Sequence, residues 1–161
     1  MTRHIFLAAL ILCTMTAATF ADRQTTKDDA QKDEELATAG KKTTEELCTG
    51  CHGLEDTTGS RRTPREWNDV VAAMVDRGAG GTDEQVATIK QYLTRYYGMV
   101  AVNTAPAKDL SSVLGLSSKD ADAVVEYRAA HGKFPDAAAL SSVPGIDTSK
   151  INAQPGALRF D

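Results

Sequence analysis

Cysteine is scarce in this chain, and its scarcity excludes one class of exported protein. The sequence holds three cysteines, Cys13, Cys48 and Cys51. Small secreted domains that depend on disulfide frameworks carry four, six or eight. If the segment that contains Cys13 is removed, two thiols remain, three positions apart. A stabilising disulfide framework is therefore excluded, and the remaining pair needs another chemical explanation.

The chain also lacks an excess of positive charge and a long apolar run. Its formal net charge is −4, which argues against nonspecific attraction to nucleic acid or anionic lipid. The apolar run of residues 5–12 (IFLAALIL) is too short to span a bilayer comfortably. It follows Arg3 and His4 and precedes Thr19-Phe20-Ala21, which fits a signal-peptidase site. We predict a cleaved signal peptide over residues 1–21 and a periplasmic or secreted protein with no membrane contact after cleavage. An uncleaved anchor is the alternative.

Residues 22–33 carry no apolar face, so we predict a flexible leader there. Apolar residues then recur with helical spacing from near Glu34 into Leu47. Residues 53–63 are rich in glycine, threonine and arginine, which predicts a loop. The N-terminal part of the mature chain is thus predicted as a leader, a helix and a loop.

Two further helices are indicated by their first residues. Pro64 suits the first turn of a helix that has Thr63 as its N-cap. Thr82 and Gln85 form a capping box at the start of the next helix, which we expect to end at Gly98. Strand signals are weak everywhere, so the predicted fold class is all-α.

The last third of the chain contains an internal repeat. The stretch LSSVLGL at residues 110–116 recurs as LSSVPGI at residues 140–146. A repeat of this kind indicates a duplicated supersecondary unit. Each copy is predicted as a helix, a tight glycine turn and a second helix.

The chemistry of the chain is concentrated in Cys48-Thr49-Gly50-Cys51-His52, the attachment signature of c-type haem. Residues i and i+3 at the end of a helix point the same way, so both thiols can add to the vinyl groups of one porphyrin. The next imidazole, of His52, then reaches the iron. A structural zinc site needs four ligands, and the mature chain offers only His131 as a fourth. A thioredoxin-like pair expects a βαβ context, which the pattern lacks. The sequence predicts one covalently attached haem c.

Residues 34–98 resemble the class I cytochrome c family beyond the pentapeptide. Gly40 lies where the family keeps a small residue, and Tyr92-Leu93 lies where its C-terminal helix supplies an aromatic side chain. The resemblance implies a cytochrome c domain over residues 34–99 in which Gly40 lets two helices cross closely. The alternative is that Gly40 only interrupts its helix.

The stretch RTPREWNDVVAAMVDRG, residues 62–78, resembles the ligand region of short cytochromes associated with quinoprotein and sulfite dehydrogenases. That resemblance implies Met74 as the sixth ligand, so that His52 and Met74 bind the iron. Core packing by Met74, ligation by Met99, ligation by His131 and an open five-coordinate iron remain as alternatives.

Four weaker cofactor contacts are also considered. Arg61 or Arg62 could pair with a haem propionate, or both could be solvated loop arginines. The resemblance implies that the Pro64 carbonyl accepts from the axial imidazole, although Pro64 also suits simple helix initiation. Trp67 could pack against the porphyrin edge or belong to the core.

Residues 100–161 resemble the tandem helix-hairpin-helix domain of secreted DNA-uptake and competence proteins. The stretches VNTAPAKDLSSVLGL, ADAVVEYRAAHGKF and LSSVPGID carry this resemblance. In that family, backbone N–H groups of a two-glycine turn can bind phosphate. The second glycine is missing from both turns here, and Asp147 places a carboxylate at one of them. Residues 101–161 hold six basic and seven acidic residues, so we predict a docking or structural element and not a nucleic-acid interface.

Together these observations predict an exported monohaem c-type cytochrome, an electron carrier and not an enzyme. The expected partner is a periplasmic redox protein, such as a quinone-dependent dehydrogenase or an oxidase. The alternatives are a haem-linked DNA-binding module and a haem sensor or catalyst with an open iron position. Because residues 99–105 are too few for a long tether, we expect a fixed contact between the two modules.

Overall fold

A computed structural model describes residues 27–161, which divide into two units at Glu35 and Leu36. The predicted signal peptide, residues 1–21, lies outside the described residues. Residues 27–35 of the first unit are helical and mostly exposed. Residues 27–33, which are part of the leader that we predict over residues 22–33, are helical. Lysine, glutamine and alanine favour a helix even where no apolar face exists.

The second unit, residues 36–161, is mostly helical, which confirms the predicted helical class. A π-helical turn spans Leu36–Gly40. The α-helices are α1 Lys41–Cys48, α2 Glu55–Thr58, α3 Pro64–Asp76, α4 Asp83–Tyr97, α5 Ala107–Leu114, α6 Ser118–His131, α7 Ala137–Ser141 and α8 Thr148–Asn152. A 3₁₀-helix covers Pro155–Ala157. Among residues 27–161, no helix combines the length and the apolar character that a membrane span requires.

Two short strands are the main departure from an all-α chain. Strand β1, Val100–Ala101, pairs in parallel with β2, Leu158–Arg159. The pairing extends to Val102, whose N–H donates to the Arg159 carbonyl at 2.8 Å. Residues 99–105, which connect the two predicted modules, therefore include a strand whose partner lies far away in the sequence.

Capping residues begin α3 and α4 as their sequences predict. The hydroxyl of Thr63 accepts from the Glu66 N–H at 3.3 Å, and the Glu66 carboxylate accepts from the Thr63 N–H at 2.8 Å. Thr82 and Gln85 make the same reciprocal pair. These bonds satisfy N–H groups that have no partner within the helix. The predicted loop after His52 differs from the structure, because it contains the short helix α2.

The predicted contact between Gly40 and Tyr92 is confirmed. A Cβ atom placed on Gly40 would lie 2.6 Å from the Cβ of Tyr92, closer than side-chain carbons pack. Only glycine lets the two backbones approach this closely. The hydroxyl of Thr44, which is buried, donates to the Gly40 carbonyl at 2.7 Å. This crossing fixes the segment before Cys48 against α4.

Buried apolar side chains form two clusters. The first lies on α3 and α4 and contains Trp67, Val71, Ile89, Tyr92 and Leu93. The second is larger and lies on the elements from β1 to β2. Its buried members are Val100, Val102, Ala105, Leu110, Val113, Leu114, Leu116, Ala121, Val124, Phe134, Leu140, Val143, Ile146, Ile151, Ala157 and Leu158.

The internal repeat folds as predicted, with α5–α6 as one copy and α7–α8 as the other. Gly115 and Gly145 follow the first helix of each copy and adopt φ values of 70° and 80°. This left-handed conformation is strained for residues with a side chain, which explains glycine at both turns. Ser117 and Asp147 then cap the second helix of each copy.

The two clusters are joined by direct contacts, so the predicted fixed contact is confirmed within residues 36–161. Arg61 packs against Gly156, where an added Cβ atom would lie 3.3 Å from the Arg61 Nε atom. The Arg95 side chain, only 7% exposed, reaches from α4 to the Val113 carbonyl at the end of α5, at 3.3 Å. A buried cation at a helix C-terminus interacts favourably with the helix dipole.

Candidate functional site

The haem-type motif lies where α1 ends. Cys48 is the last residue of α1, and the turn through Thr49 and Gly50 leads to Cys51 and His52. The Thr49 N–H still donates to the Glu45 carbonyl at 3.2 Å, which holds the start of the turn to the helix. Both cysteines are free thiols; Cys48 is half-buried and Cys51 is exposed. Burial raises the pKa of the Cys48 thiol.

These residues open onto a cleft of about 890 Å³, a volume that includes space open to solvent. Cys48, Cys51 and His52 come from one segment, and Met74 comes from the last turns of α3. The other lining residues are mostly apolar. They are Thr44, Leu47, Leu54, Thr57, Val70, Val71, Val75, Arg77, Ala79, Gly80, Val86, Ile89 and Leu93. A cleft lined mainly by apolar side chains, with a few polar groups among them, is typical of a cofactor or ligand site.

Much of this apolar lining is left uncovered by the protein. Leu47, Leu54, Val70 and Val86 are only half-buried, and Val75 is 41% exposed. Uncovered apolar area of this kind marks a binding groove, because covering it with an apolar group is favourable. The lining therefore fits a large, mainly apolar group, and the two thiols and the imidazole supply the atoms that a haem c requires.

His52 is oriented by its own backbone neighbour. Its Nδ1 atom lies 2.9 Å from the Gly53 carbonyl oxygen. In the tautomer in which Nδ1 donates, Nε2 keeps its lone pair and can bind a metal. This carbonyl belongs to Gly53, whereas our resemblance-based expectation assigned the role to Pro64. Pro64 occupies the first turn of α3, which favours its alternative role in helix initiation.

Met74 is the methionine that the structure brings to the cleft. Neither Met99 nor His131 is among the described residues that line it. His131 lies at the end of α6, stacks on Tyr127 with ring centroids 4.1 Å apart, and contacts the Tyr127 carbonyl. The two alternatives to Met74 thus lack the placement that ligation requires.

Arg61 and Arg62, predicted as possible propionate partners, point elsewhere. Arg61 donates to the Gly98 carbonyl at 2.9 Å, and Arg62 donates to the Thr57 carbonyl at 2.6 Å. The Arg62 guanidinium also lies 4.8 Å from the Trp67 ring centroid. Among residues 27–161, the basic side chain that lines the cleft is Arg77.

Trp67 is likewise absent from the described lining of the cleft. It is fully buried, and its indole N–H donates to the Tyr97 carbonyl at 3.0 Å. Of its two interpretations, the structure favours core packing. Sequence reasoning missed Arg77, although its position three residues after Met74 was a usable signal, because residues i and i+3 share a helix face.

The donor set around the motif does not match a structural zinc site. Within the described part of the chain, no group of three or more histidine, cysteine, aspartate or glutamate side chains is arranged to hold a metal ion. A structural zinc ion needs four such ligands in tetrahedral arrangement. The zinc alternative gains no support from this geometry.

The first glycine turn of the repeat lies against a side chain of α4. A Cβ atom on Gly115 would lie 2.6 Å from Nη2 of Arg95, so the guanidinium covers this turn closely. At the second turn, the Asp147 carboxylate accepts from the Ser149 N–H at 3.0 Å and from its hydroxyl at 2.5 Å. Asp147 therefore acts as the predicted N-cap. Both turns are engaged by groups of the chain itself.

Two polar residues that the sequence did not single out hold the ends of the repeat together. The Asn103 amide donates to the carbonyls of Phe134 and Phe160 at 3.0 and 2.9 Å and accepts from the Phe134 N–H at 2.8 Å. Arg128 donates to the carbonyls of Val102 and Ala105 at 2.5 and 2.6 Å. Burial lowers the pKa of Arg128. These bonds satisfy buried backbone groups that regular structure leaves unpaired.

Comparison with known proteins gives one relative and one family match. An uncharacterized protein of Haemophilus influenzae is 44% identical over 51 residues, which are 31% of this chain and 46% of that protein. The chain thus spans less than half of that relative's length. No solved structure matches the chain. Residues 96–159 match the helix-hairpin-helix motif family, a match that begins in the last residues of α4 and extends into β2. This part of the chain therefore carries a helix-hairpin-helix motif.

Proposed function

We propose that the chain is an exported monohaem c-type cytochrome that carries single electrons to or from a periplasmic redox partner. The observation that supports this proposal is the cleft, which collects Cys48, Cys51, His52 and Met74 around an apolar lining. Two thiols, an imidazole and a thioether are the groups that attach and ligate haem c. No enzymatic activity is proposed, because an electron carrier needs no substrate site of its own.

Each residue of the cleft has a definite task in this proposal. The thiols of Cys48 and Cys51 would hold the porphyrin covalently, while His52 and Met74 would bind the iron. When bound, haem supplies a centre that gains and loses one electron. The Gly53 carbonyl orients the imidazole of His52. The apolar lining excludes water, and methionine ligation favours a higher reduction potential than a second histidine would.

The optical spectrum of the purified, exported protein tests the proposal. We expect haem that stays attached after denaturation and, in the ferric state, the far-red band of methionine sulfur on iron. Met74→Ala should abolish this band, whereas the control Met99→Ala should keep it. Protein without covalent haem would refute the proposal.

A different result would favour the haem sensor or catalyst. That function requires an open iron position, and therefore that the Met74 sulfur is not bound. If haem is attached, the far-red band is absent and the ferrous protein binds carbon monoxide at neutral pH, sensing or catalysis replaces electron transfer. The same purified protein serves for both measurements.

The helix-hairpin-helix motif has a docking role in this proposal. Arg95 of α4 donates to the Val113 carbonyl and covers the Gly115 turn, so the module packs against α4. The same helix lines the cleft with Ile89 and Leu93. A buried arginine needs partners, and the end of α5 provides them. Arg95→Met should therefore loosen the contact and speed proteolytic cleavage near residues 99–105. Arg159→Met, an exposed arginine in the same module, is the matched control.

Nucleic-acid binding is the second candidate function, because the family match includes hairpin turns of the kind that can hold a phosphate. Three observations weigh against it: Arg95 covers the first turn, Asp147 occupies the second, and residues 101–161 carry slightly more acidic than basic side chains. A duplex-DNA shift assay at low salt decides the matter. We expect no shift, and tight binding would reverse the preference.

A further inference from the structure

Arg77 is an arginine that lines the apolar cleft. We infer that the Arg77 guanidinium pairs with the carboxylate edge of the bound cofactor and thereby sets the orientation of the cofactor in the cleft. The inference rests on the proposed function, because it takes the cofactor to be haem c. It concerns a residue that the cytochrome resemblance did not indicate.

Arg77 differs from Arg61 and Arg62 in its position relative to the cleft. Arg77 lines the cleft, whereas Arg61 and Arg62 are not among its described lining residues and donate to the backbone carbonyls of Gly98 and Thr57. Arg77 itself donates only weakly to the Ala73 carbonyl, at 3.5 Å, and its residue is exposed. Such a side chain can turn toward an anionic group without losing a strong bond.

The apolar lining and the Arg77 guanidinium match two different parts of a porphyrin. A porphyrin has a wide apolar plane and two carboxylates at one edge. The plane gains most against the leucine and valine side chains of the cleft, while an ionised carboxylate needs water or a cation. A guanidinium is the side-chain group best matched to a carboxylate, since it offers two parallel N–H donors. The carboxylate edge is therefore expected on the part of the lining that Arg77 provides.

Arg77 lies at the same end of α3 as Met74. Arg77 is the C-cap residue of α3 and follows Met74 by three positions, so both residues belong to the last turn. Met74 and Arg77 thus approach the cofactor from the same stretch of helix. One short element would fix both the iron ligand and the edge that bears the carboxylates. A cation at this end of a helix is also favourable for the helix itself, which makes a purely structural role the competing explanation.

The reduction potential of the holoprotein separates the two explanations. A positive charge near the haem disfavours the ferric state, which carries one more positive charge than the ferrous state. Arg77→Gln should therefore lower the reduction potential, with a change in the equilibrium constant for reduction of about threefold to tenfold; tenfold corresponds to about 59 mV for one electron. Arg77→Lys keeps the charge and should restore most of the wild-type potential.

Arg65→Gln is the matched control. Arg65 is an exposed arginine of α3 that is not among the described residues lining the cleft, so its loss changes net charge equally. A potential that falls in Arg77→Gln, stays near wild type in Arg65→Gln and recovers in Arg77→Lys supports the inference. Equal potentials in Arg77→Gln and Arg65→Gln, with covalent haem present in both, overturn it. If the wild-type protein itself carries no covalent haem, the proposed function fails first.

Discussion

The two regions of residues 36–161 bury their apolar side chains to different extents. The region before Val100 has five buried apolar residues, one of which is Trp67, and several partly buried ones that line the cleft. The region from Val100 onward has sixteen, and Asn103 and Arg128 close its ends with hydrogen bonds. A region that leaves apolar surface uncovered beside thiols and an imidazole is suited to a cofactor. A region of similar length that seals its own core is suited to support.

The largest expected effect comes from removing the two thiols. Cys48→Ser combined with Cys51→Ser should abolish covalent haem entirely, because the remaining cysteine, Cys13, belongs to the predicted signal peptide and not to the attachment motif. Haem retained by the denatured protein on a gel measures this. Thr49→Ala, between the same two cysteines, is the control and should keep the haem. Covalent haem in the doubly substituted protein would show that the first region does not attach the cofactor through these thiols.

The next effect concerns the sealed region. Asn103→Ala should lower the free energy of unfolding by about 3 kcal/mol, because it leaves the Phe134 N–H and the Phe134 and Phe160 carbonyls without their partner. Urea unfolding followed by circular dichroism measures the change. Asn152→Ala, an exposed asparagine of α8, should change little. Equal losses in the two variants would show that the sealed region does not depend on these bonds.

A smaller effect is expected at the crossing of the first region. Gly40→Ala should lower the free energy of unfolding by about 2 kcal/mol, because the added Cβ meets the Tyr92 Cβ at 2.6 Å. Gly50→Ala has open space around its Cβ and is the matched control in the same urea experiment. Stabilisation by Gly40→Ala would mean that helix propensity outweighs the close packing here.

The smallest effect appears only in alkali. Burial, and then a hydrogen bond with Tyr97, raises the pKa of Tyr92. The folded state therefore keeps the phenol proton more tightly than the unfolded state, whose tyrosines titrate near pH 10. Stability from this group is present below about pH 10 and is lost as pH rises further. The decrease in the urea midpoint between pH 9 and pH 11 should be smaller in Tyr92→Phe than in the wild type. Equal decreases in the two proteins would count against the Tyr92 phenol as the cause.

Local signals predicted the parts of this fold that local interactions decide. Thr63 and Thr82 cap their helices because their partners lie three residues ahead. Gly115 and Gly145 adopt left-handed conformations because the turns after α5 and α7 require them. These features depend on neighbours in the chain, so the sequence alone is enough. The thiols and imidazole of the candidate site belong to this class, since one pentapeptide contains all three.

The remaining features depend on residues far apart in the sequence. The strand at Val100 pairs with Leu158, and neither stretch is long enough to show a strand pattern. Arg95 reaches Val113 only because α4 and α5 pack together. The choice of Arg77 over Arg61 and Arg62 likewise required the direction of each side chain. Spacing along the chain gives the candidates for such contacts, and tertiary packing selects among them.

Trp67 has a consequence for how the protein can be followed in solution. It is the single tryptophan of the chain, and it lies fully buried among Val71 and Leu93, which also line the cleft. A bound porphyrin accepts excitation energy from a nearby indole, so tryptophan fluorescence should be dark in the haem protein and bright when the haem is lost. The emission also comes from the first region alone. A single intrinsic probe can therefore show whether the cleft opens before the helix-hairpin-helix module unfolds.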